Sequence, residues 1–158
     1  MNNEDLDGYE CAEVEDRFLK FFGEGGSFKD LKNMSDDAME AIYSLAYNLY
    51  QSGKYEEAKK IFQFLCFYDH LNRKYYLGLG ACQQMQKQYD SAIEIFSFAT
   101  LLDSDDPRPM MYIGDCHMAK GDKEKAQIAY ETCIEWAGDS EEYAQDLERA
   151  KNMVENLN

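Results

Sequence analysis

One pattern of large and small residues occurs three times between residues 42 and 133, at a fixed spacing of 34 residues and without a gap. Each copy has a small residue, a second small residue 12 positions later, and an aromatic residue 4 positions after that. These positions are Ala46, Ala58 and Phe62 in the first copy, Gly80, Ala92 and Phe96 in the second, and Gly114, Ala126 and Tyr130 in the third. Three ungapped copies constrain the fold strongly, because chance seldom repeats so long a pattern.

A 34-residue period with these small and aromatic positions is the spacing of the tetratricopeptide helix-turn-helix repeat. The small residues let the two helices of a repeat approach closely, and the aromatic residue fills the space toward the next repeat. One helix pair cannot cover its own apolar face, so successive pairs stack into a solenoid with a concave inner surface. The sequence therefore predicts an all-α fold of three tandem tetratricopeptide repeats, with about eight helices in total and no sheet.

The sequence divides into four parts. Residues 1–10 are polar and acidic and are predicted to be disordered. Residues 11–34 contain a short amphipathic N-terminal helix and the glycine-rich turn that ends it. Residues 35–138 form the three-repeat domain, and residues 139–158 form a C-terminal helix that caps the last repeat with its one apolar side.

Polar residues mark the helix starts. Ser35 is a good N-cap for the first repeat. Asp106 is the predicted N-cap of the third repeat, with Pro107 at the first helical position. Asp139 and Glu142 have the spacing of a capping box at the start of the last helix.

The turn inside each repeat is expected to need a residue that ends the first helix. Gly53 and Gly121 occupy this position in the first and third repeats, and Lys87 occupies it in the second. The second turn must therefore form without glycine.

Composition excludes several classes of function. The formal net charge of −15 repels nucleic acid and anionic membrane surfaces, so neither nucleic acid nor direct membrane binding is expected. No apolar run reaches the 18 or more residues of a membrane-spanning helix. The acidic N-terminus lacks the basic and apolar regions of a secretory signal, which predicts residence in the cytoplasm.

The carboxylate excess is concentrated at the two ends of the chain. Residues 1–16 and residues 135–158 each contain seven carboxylates. Solubility is the plain interpretation, and attraction of basic segments of a partner is the alternative.

The residues of catalysis and metal binding are scarce. His70 is expected at a helix end and His117 at a packing position, so neither has an evident nucleophile or metal partner. The five cysteines are odd in number and include no C-x-x-C pair, which favours packing roles in a reducing compartment over a disulfide or zinc site. No enzymatic activity, metal or cofactor is expected.

The first helix of each repeat lines the concave surface. Its inward side chains are aromatic, aliphatic or thioether groups, which suit an extended peptide with apolar anchors. The predicted lining residues are Tyr43, Tyr47 and Tyr50 in the first repeat, Leu77, Ala81 and Met85 in the second, and Met111 and Met118, beside Asp115, in the third. The alternative is that the three tyrosines are covered core residues.

The first 28 residues contain four phenylalanines, Phe18, Phe21, Phe22 and Phe28. A short helix cannot bury this many rings against itself. They must pack on the first repeat or on another subunit, and the sequence leaves both arrangements open.

From about Phe18 to Gly138 the sequence resembles the class II type III secretion chaperones of bacteria, which protect hydrophobic translocator proteins before export. The specific segments are FFGEGGSFKDL, LAYNLYQSGKYEEA, FLCFYDH and GLGACQQ. The resemblance implies a non-catalytic chaperone that holds a short Pro- and Leu-containing translocator segment in its concave groove. It implies peptide contacts at Tyr43, Tyr47, Tyr50, Leu77, Ala81 and Met85. Met111 and Met118 of the third repeat are predicted from the repeat spacing and not from the resemblance. It also implies homodimer contacts at Phe18, Phe21 and Phe22.

Two other interpretations remain open at this stage. The family contains chaperones that bind a transcription activator after their substrate leaves, so a co-regulator is one alternative. A general tetratricopeptide scaffold is the other. A clamp for a C-terminal carboxylate is disfavoured, because Tyr43 and Tyr47 replace the Lys and Asn that such a clamp requires.

Overall fold

The fold is described from a computed structural model over residues 34–157. The predicted disordered N-terminus, the N-terminal helix and its proposed dimer contacts at Phe18, Phe21 and Phe22 lie outside these residues. The described helices are α1 Asp36–Gln51, α2 Tyr55–Tyr68, α3 Arg73–Met85, α4 Tyr89–Leu102, α5 Arg108–Lys120, α6 Lys123–Ala137 and α7 Ala144–Leu157, with a 3-10 turn at Glu141–Tyr143 before α7. Within residues 34–157 the structure has no strand, and the all-α prediction is confirmed.

The described residues divide into two compact units, one up to residue 68 and the other from residue 69 onward. In the first unit α1 packs against α2. In the second unit α3 packs against α4, α4 against α5, α5 against α6, and α6 against α7.

The first helix pair forms as its sequence predicts. The hydroxyl oxygen of Ser35 accepts a hydrogen bond from the backbone N–H of Ala38 at 3.2 Å, which caps α1. Ala46 and Ala58 have no exposed surface, and Phe62 is 1% exposed. The small residues therefore lie in the core of the pair, where close helix approach requires them.

Glycine takes the same role in the second unit. A Cβ atom added at Gly80 would lie 2.5 Å from the ring of Phe96, and one added at Gly114 would lie 2.5 Å from the ring of Tyr130. Both aromatic residues are buried. Each ring thus packs directly on the backbone of the preceding helix, which explains the pairing of glycine and aromatic residue 16 positions apart.

The turn of the second repeat keeps its geometry without glycine. Lys87 adopts a φ of 61°, in the left-handed region that Gly53 and Gly121 occupy with φ of 77° and 81°. The backbone N–H of Lys87 donates to the carbonyl of Gln84 at 2.9 Å. The first helix of each repeat therefore ends with the same backbone geometry, and in the second repeat this geometry strains the backbone at Lys87.

Two helix starts differ from their predictions. Helix α5 begins at Arg108, so Pro107 stands at the N-cap position instead of the first helical position, and Asp106 lies one residue outside. The capping box predicted at Asp139 and Glu142 is wrong, because the chain passes through a 3-10 turn before α7 begins at Ala144. The α-helix at this end therefore starts four residues later than the capping box predicts.

The cysteines have the packing role that their spacing predicts. Cys82, Cys116 and Cys133 have no exposed surface. Burial raises the pKa of Cys116 to about 12 and that of Cys133 to about 11, because a thiolate is poorly solvated there. These thiols are therefore unreactive at neutral pH.

Candidate peptide-binding surfaces

The first candidate surface is one side of α1 in the first unit. Tyr43, Tyr47 and Tyr50 recur at spacings of four and three residues, which places them on the same helix face. Tyr47 is 47% exposed, and its ring stacks on Tyr43 with centroids 6.5 Å apart. Tyr43 also packs edge-on against Phe62 at 5.9 Å, which fixes the stacked pair to the core.

The third tyrosine is held in a similar way. Tyr50 is half-buried and packs edge-on against Tyr55, with ring centroids 5.5 Å apart. Tyr43 and Tyr50 are thus each half-buried and packed against another ring, while Tyr47 is the exposed ring. The alternative of a fully covered tyrosine cluster does not hold for Tyr47.

The second candidate surface is one side of α3 in the second unit. Leu77, Ala81 and Met85 recur every four residues. Leu77 packs against the cluster that contains Phe96, while Ala81 is half-buried and Met85 is 47% exposed. The face therefore changes along the helix from a side chain anchored in the core to an accessible thioether.

In the third repeat the structure buries one of the two predicted methionines, Met111. Met111 has no exposed surface and belongs to a core cluster with Tyr130 and Ala150. Met118 packs against the same cluster, together with Val154 of α7. The prediction that Met111 lines a peptide surface is wrong for this structure, because α7 covers this side of the repeat.

Asp115, predicted beside the peptide surface, is occupied by partners within the second unit. Its carboxylate accepts a hydrogen bond from the hydroxyl of Tyr130 at 2.8 Å and one from Nη2 of Arg149 at 2.6 Å. Burial, followed by the charge of Asp115, raises the pKa of Tyr130, so the hydroxyl stays a donor. Asp115 therefore attaches α7 to the last repeat and is not available to a peptide.

A buried charge cluster stabilises the connection between α4 and α5. Asp106 has no exposed surface. It accepts hydrogen bonds from Nε of Arg108 at 2.9 Å and Nη2 of Arg108 at 2.8 Å, and Nη1 of Arg73 lies 3.1 Å away. Burial alone would raise the pKa of Asp106, but the two arginines outweigh it and hold that pKa below its usual range.

The structure also shows two cavities in the second unit that the sequence did not predict. One, of about 480 Å³, is lined by Ser104, Asp105, Trp136, Ser140, Glu142 and Tyr143. The other, of about 200 Å³, is lined by Met110, Ile113, His117, Lys125, Ile128 and Ala129. Each combines residues from separate helices or loops, so no local sequence pattern indicates it.

His117 belongs to the smaller cavity. Its Nδ1 is buried and has no hydrogen-bond partner among residues 34–157. Burial lowers the pKa of its imidazole, and although Asp122 opposes this effect, Lys120 and Lys125 add to it. The ring is therefore neutral at pH 7 and is a packing residue of the repeat, as its sequence position predicts.

Within residues 34–157, no group of three or more His, Cys, Asp or Glu side chains could hold a metal ion. No helix in the same range is long and apolar enough to cross a membrane.

Comparison with known proteins adds to these observations. A family description, "Tetratricopeptide repeat", matches residues 39–72, and a second one of the same wording matches residues 83–155. Low calcium response locus protein H of Yersinia pestis is 38% identical over 155 residues, which cover 98% of this chain and 90% of that protein.

Solved structures are similar over most of their length. The translocator chaperone SycD of Yersinia enterocolitica, in complex with a peptide of the translocator YopD, is 39% identical, with a TM-score of 0.74 over 78% of this chain and 94% of SycD. PcrH of Pseudomonas aeruginosa, in complex with the chaperone binding region of PopD, is 35% identical, with a TM-score of 0.76 over 80% of this chain and 96% of PcrH. SycD has also been solved as an alternative dimer, which is 38% identical with a TM-score of 0.75 over 78% of this chain and 93% of SycD.

Proposed function

Because this chain belongs to the class II translocator chaperones of type III secretion, we propose that it binds hydrophobic translocator proteins before their export. The family is one of chaperones and not of enzymes, in agreement with the expectation from the sequence. Binding keeps the substrate soluble and competent for secretion. The bacterial cytoplasm is the compartment in which the substrate needs this protection.

The bound segment is an extended stretch that contains proline and leucine. The observation that carries this proposal is the exposure of two apolar side chains on the first helices of their repeats, Tyr47 and Met85, each 47% exposed. Tyr47 offers a rigid ring, supported from below by Tyr43, and Met85 offers a thioether that adapts to different apolar shapes. Leu77 and Ala81 continue the contact surface along α3.

The experiment is co-expression of the tagged chain with a translocator, followed by affinity purification and measurement of the recovered complex. Tyr47→Glu and Met85→Glu are tested separately. A carboxylate buried under the peptide without a partner costs at least about 1–3 kcal/mol of binding free energy. A cost of about 2 kcal/mol already weakens the complex more than tenfold. Both variants should therefore lose most of the bound translocator.

Two variants control for the added negative charge. Asn48→Glu places the same charge on the exposed neighbour of Tyr47, and Ser91→Glu places it on an exposed position of α4. Both should retain normal complex recovery. If Tyr47→Glu and Met85→Glu also recover normal amounts, the proposed surfaces are not where the translocator binds.

The chain is further proposed to form a homodimer through the predicted N-terminal helix, with Phe18, Phe21 and Phe22 at the contact. The sequence supports this through the apolar rings of that segment, and a similar chaperone has been solved as a dimer. Light scattering coupled to size-exclusion chromatography should give twice the 18.3 kDa of one chain. Phe21→Asp should reduce the mass to that of a monomer, whereas Glu13→Gln should not, and a Phe21→Asp protein that stays dimeric would exclude this contact.

A further inference from the structure

The larger cavity of the second unit has an unusual chemical lining. It lies between the loop that follows α4 and the segment that joins α6 to α7. Two aromatic rings, Trp136 and Tyr143, and two carboxylates, Asp105 and Glu142, line it with two serines. The cavity, of about 480 Å³, is open to solvent, and all of its lining residues except Tyr143 are exposed.

The two arginines that act on Tyr143 of the lining, Arg108 and Arg73, are already paired. Arg108 makes two side-chain hydrogen bonds to Asp106, and Arg73 forms ion pairs with both Asp106 and Asp103. Two arginines thus balance two aspartates. By contrast, Asp105 and Glu142 form no side-chain ion pair with any residue from 34 to 157. The cavity therefore carries two uncompensated negative charges.

The aromatic lining adds a second attraction for cations. The guanidinium carbon of Arg108 lies 5.5 Å from the ring centroid of Tyr143, so this ring already has a cation at its face. Trp136 is 38% exposed, and indole attracts cations more strongly than the other aromatic rings. Burial is the main cause of the raised pKa of Tyr143; Asp106 and Glu142 add to it, while Arg108 and Arg73 oppose it.

We infer that this cavity binds a cationic side chain, arginine or lysine, of a protein partner. The exposed ring of Trp136 contacts the cation, Tyr143 contacts its apolar stem, and Asp105 and Glu142 accept its hydrogen bonds. The net charge of −15 on the chain favours basic segments of a partner over the whole surface, and the cavity gives them one specific position. The site uses none of the residues proposed to contact the translocator, so the two proposals stand separately.

The single tryptophan of the chain makes the site directly observable. The full-length protein, labelled with ¹⁵N, is titrated with N-acetyl-arginine amide while the indole N–H resonance of Trp136 is followed. N-acetyl-citrulline amide, which has the same shape without the charge, is the matched ligand. A twelve-residue peptide with one central arginine, and the same peptide with citrulline, test whether the site accepts the side chain within a polypeptide.

The arginine compounds should shift the Trp136 resonance saturably, and the citrulline compounds should not. Asp105→Asn and Glu142→Gln should each weaken binding about threefold to fivefold, and the double variant should weaken it about tenfold or more. Glu155→Gln removes one exposed charge outside the cavity and should bind normally. Equal shifts with arginine and citrulline, or unchanged binding by the double variant, would overturn the inference. Binding of the amide but not of the peptide would overturn the assignment to a protein partner.

Discussion

Replacing Gly80 by alanine tests how closely the helices of the second repeat approach each other. Two effects act in opposite directions. Alanine is favoured over glycine in a helix interior by about 0.5–1 kcal/mol. The new methyl group, however, would lie 2.5 Å, 2.8 Å and 2.8 Å from three ring carbons of Phe96, about 1 Å closer than ordinary contact. Phe96 is only 1% exposed and cannot move aside into solvent.

Overpacking of this kind costs about 1–3 kcal/mol, so the steric effect should exceed the gain in helix propensity. We expect Gly80→Ala to lower the free energy of unfolding by about 1–2 kcal/mol. The change in unfolding free energy is measured by urea unfolding with Trp136 fluorescence as the signal. Trp136 reports on Gly80 because both lie in the second unit.

A double-mutant cycle with Phe96→Leu separates the clash from the propensity effect. Leucine removes the ring that the methyl group would strike, so in the Phe96→Leu background Gly80→Ala should be neutral or stabilising. The coupling between the two positions should be at least about 1 kcal/mol, within the range found for residues in contact. A wild-type background in which Gly80→Ala is stabilising, with no coupling to Phe96, would refute the proposed close approach.

Three further predictions concern the second unit. Lys87→Gly should stabilise the second unit by about 0.5–1 kcal/mol in urea unfolding. Glycine relieves the backbone strain at φ 61°, and this gain exceeds the loss that comes from the greater entropy of glycine in the unfolded chain. An unchanged unfolding midpoint would contradict this account. Asp106→Asn should destabilise by about 3–5 kcal/mol, since Arg73 and Arg108 lose their buried carboxylate. The pKa of Asp106 is lower in the folded state than its usual 3.8, so the stability that the ionised carboxylate contributes is present above that pH and is lost as the pH falls below it. The stability of Asp106→Asn should therefore decrease less in acid than that of the wild type. The pKa of His117 is lower in the folded state than in the unfolded chain, so the unfolded chain binds more protons and stability should fall as the pH decreases below 6.5. His117→Gln should flatten this slope in unfolding measured from pH 7 to pH 5, and a slope that the variant leaves unchanged would contradict this role.

The repeat register was the most reliable information in the sequence. It identified the positions of Ala46, Gly80 and Gly114 as points of close helix approach, and the described structure buries all three. It also placed Cys82 and Cys116 at equivalent buried positions. These features were predictable because each depends on the spacing of residues within one helix pair, which the 34-residue period reports directly.

The candidate surfaces were predictable only in part. The periodicity of α1 and α3 correctly placed Tyr47 and Met85 on exposed faces. The same reasoning failed for Met111, because its exposure depends on α7, which folds back from a distant part of the chain. A periodic pattern identifies which face of a helix a residue occupies, but not whether another helix covers that face.

The charge cluster shows the same distinction. The sequence indicated that Asp106 starts a helix, and its carboxylate does accept a hydrogen bond from the backbone N–H of Arg108 at 3.0 Å. Its complete burial and its pairing with Arg73, 33 residues earlier, were not indicated. Ion pairs of this kind require that separate helices bring the two groups together.

The sequence by itself determined the helix pairs, their register and the small residues between them, since local periodicity and steric size fix these features. Tertiary structure alone decided that α7 covers Met111 of the third repeat, that Lys87 takes a left-handed conformation without glycine, and that Trp136, Tyr143, Asp105 and Glu142 line one cavity. The reason is that burial, backbone strain and the meeting of charges depend on contacts between segments far apart in the chain, whose packing energies outweigh local preferences.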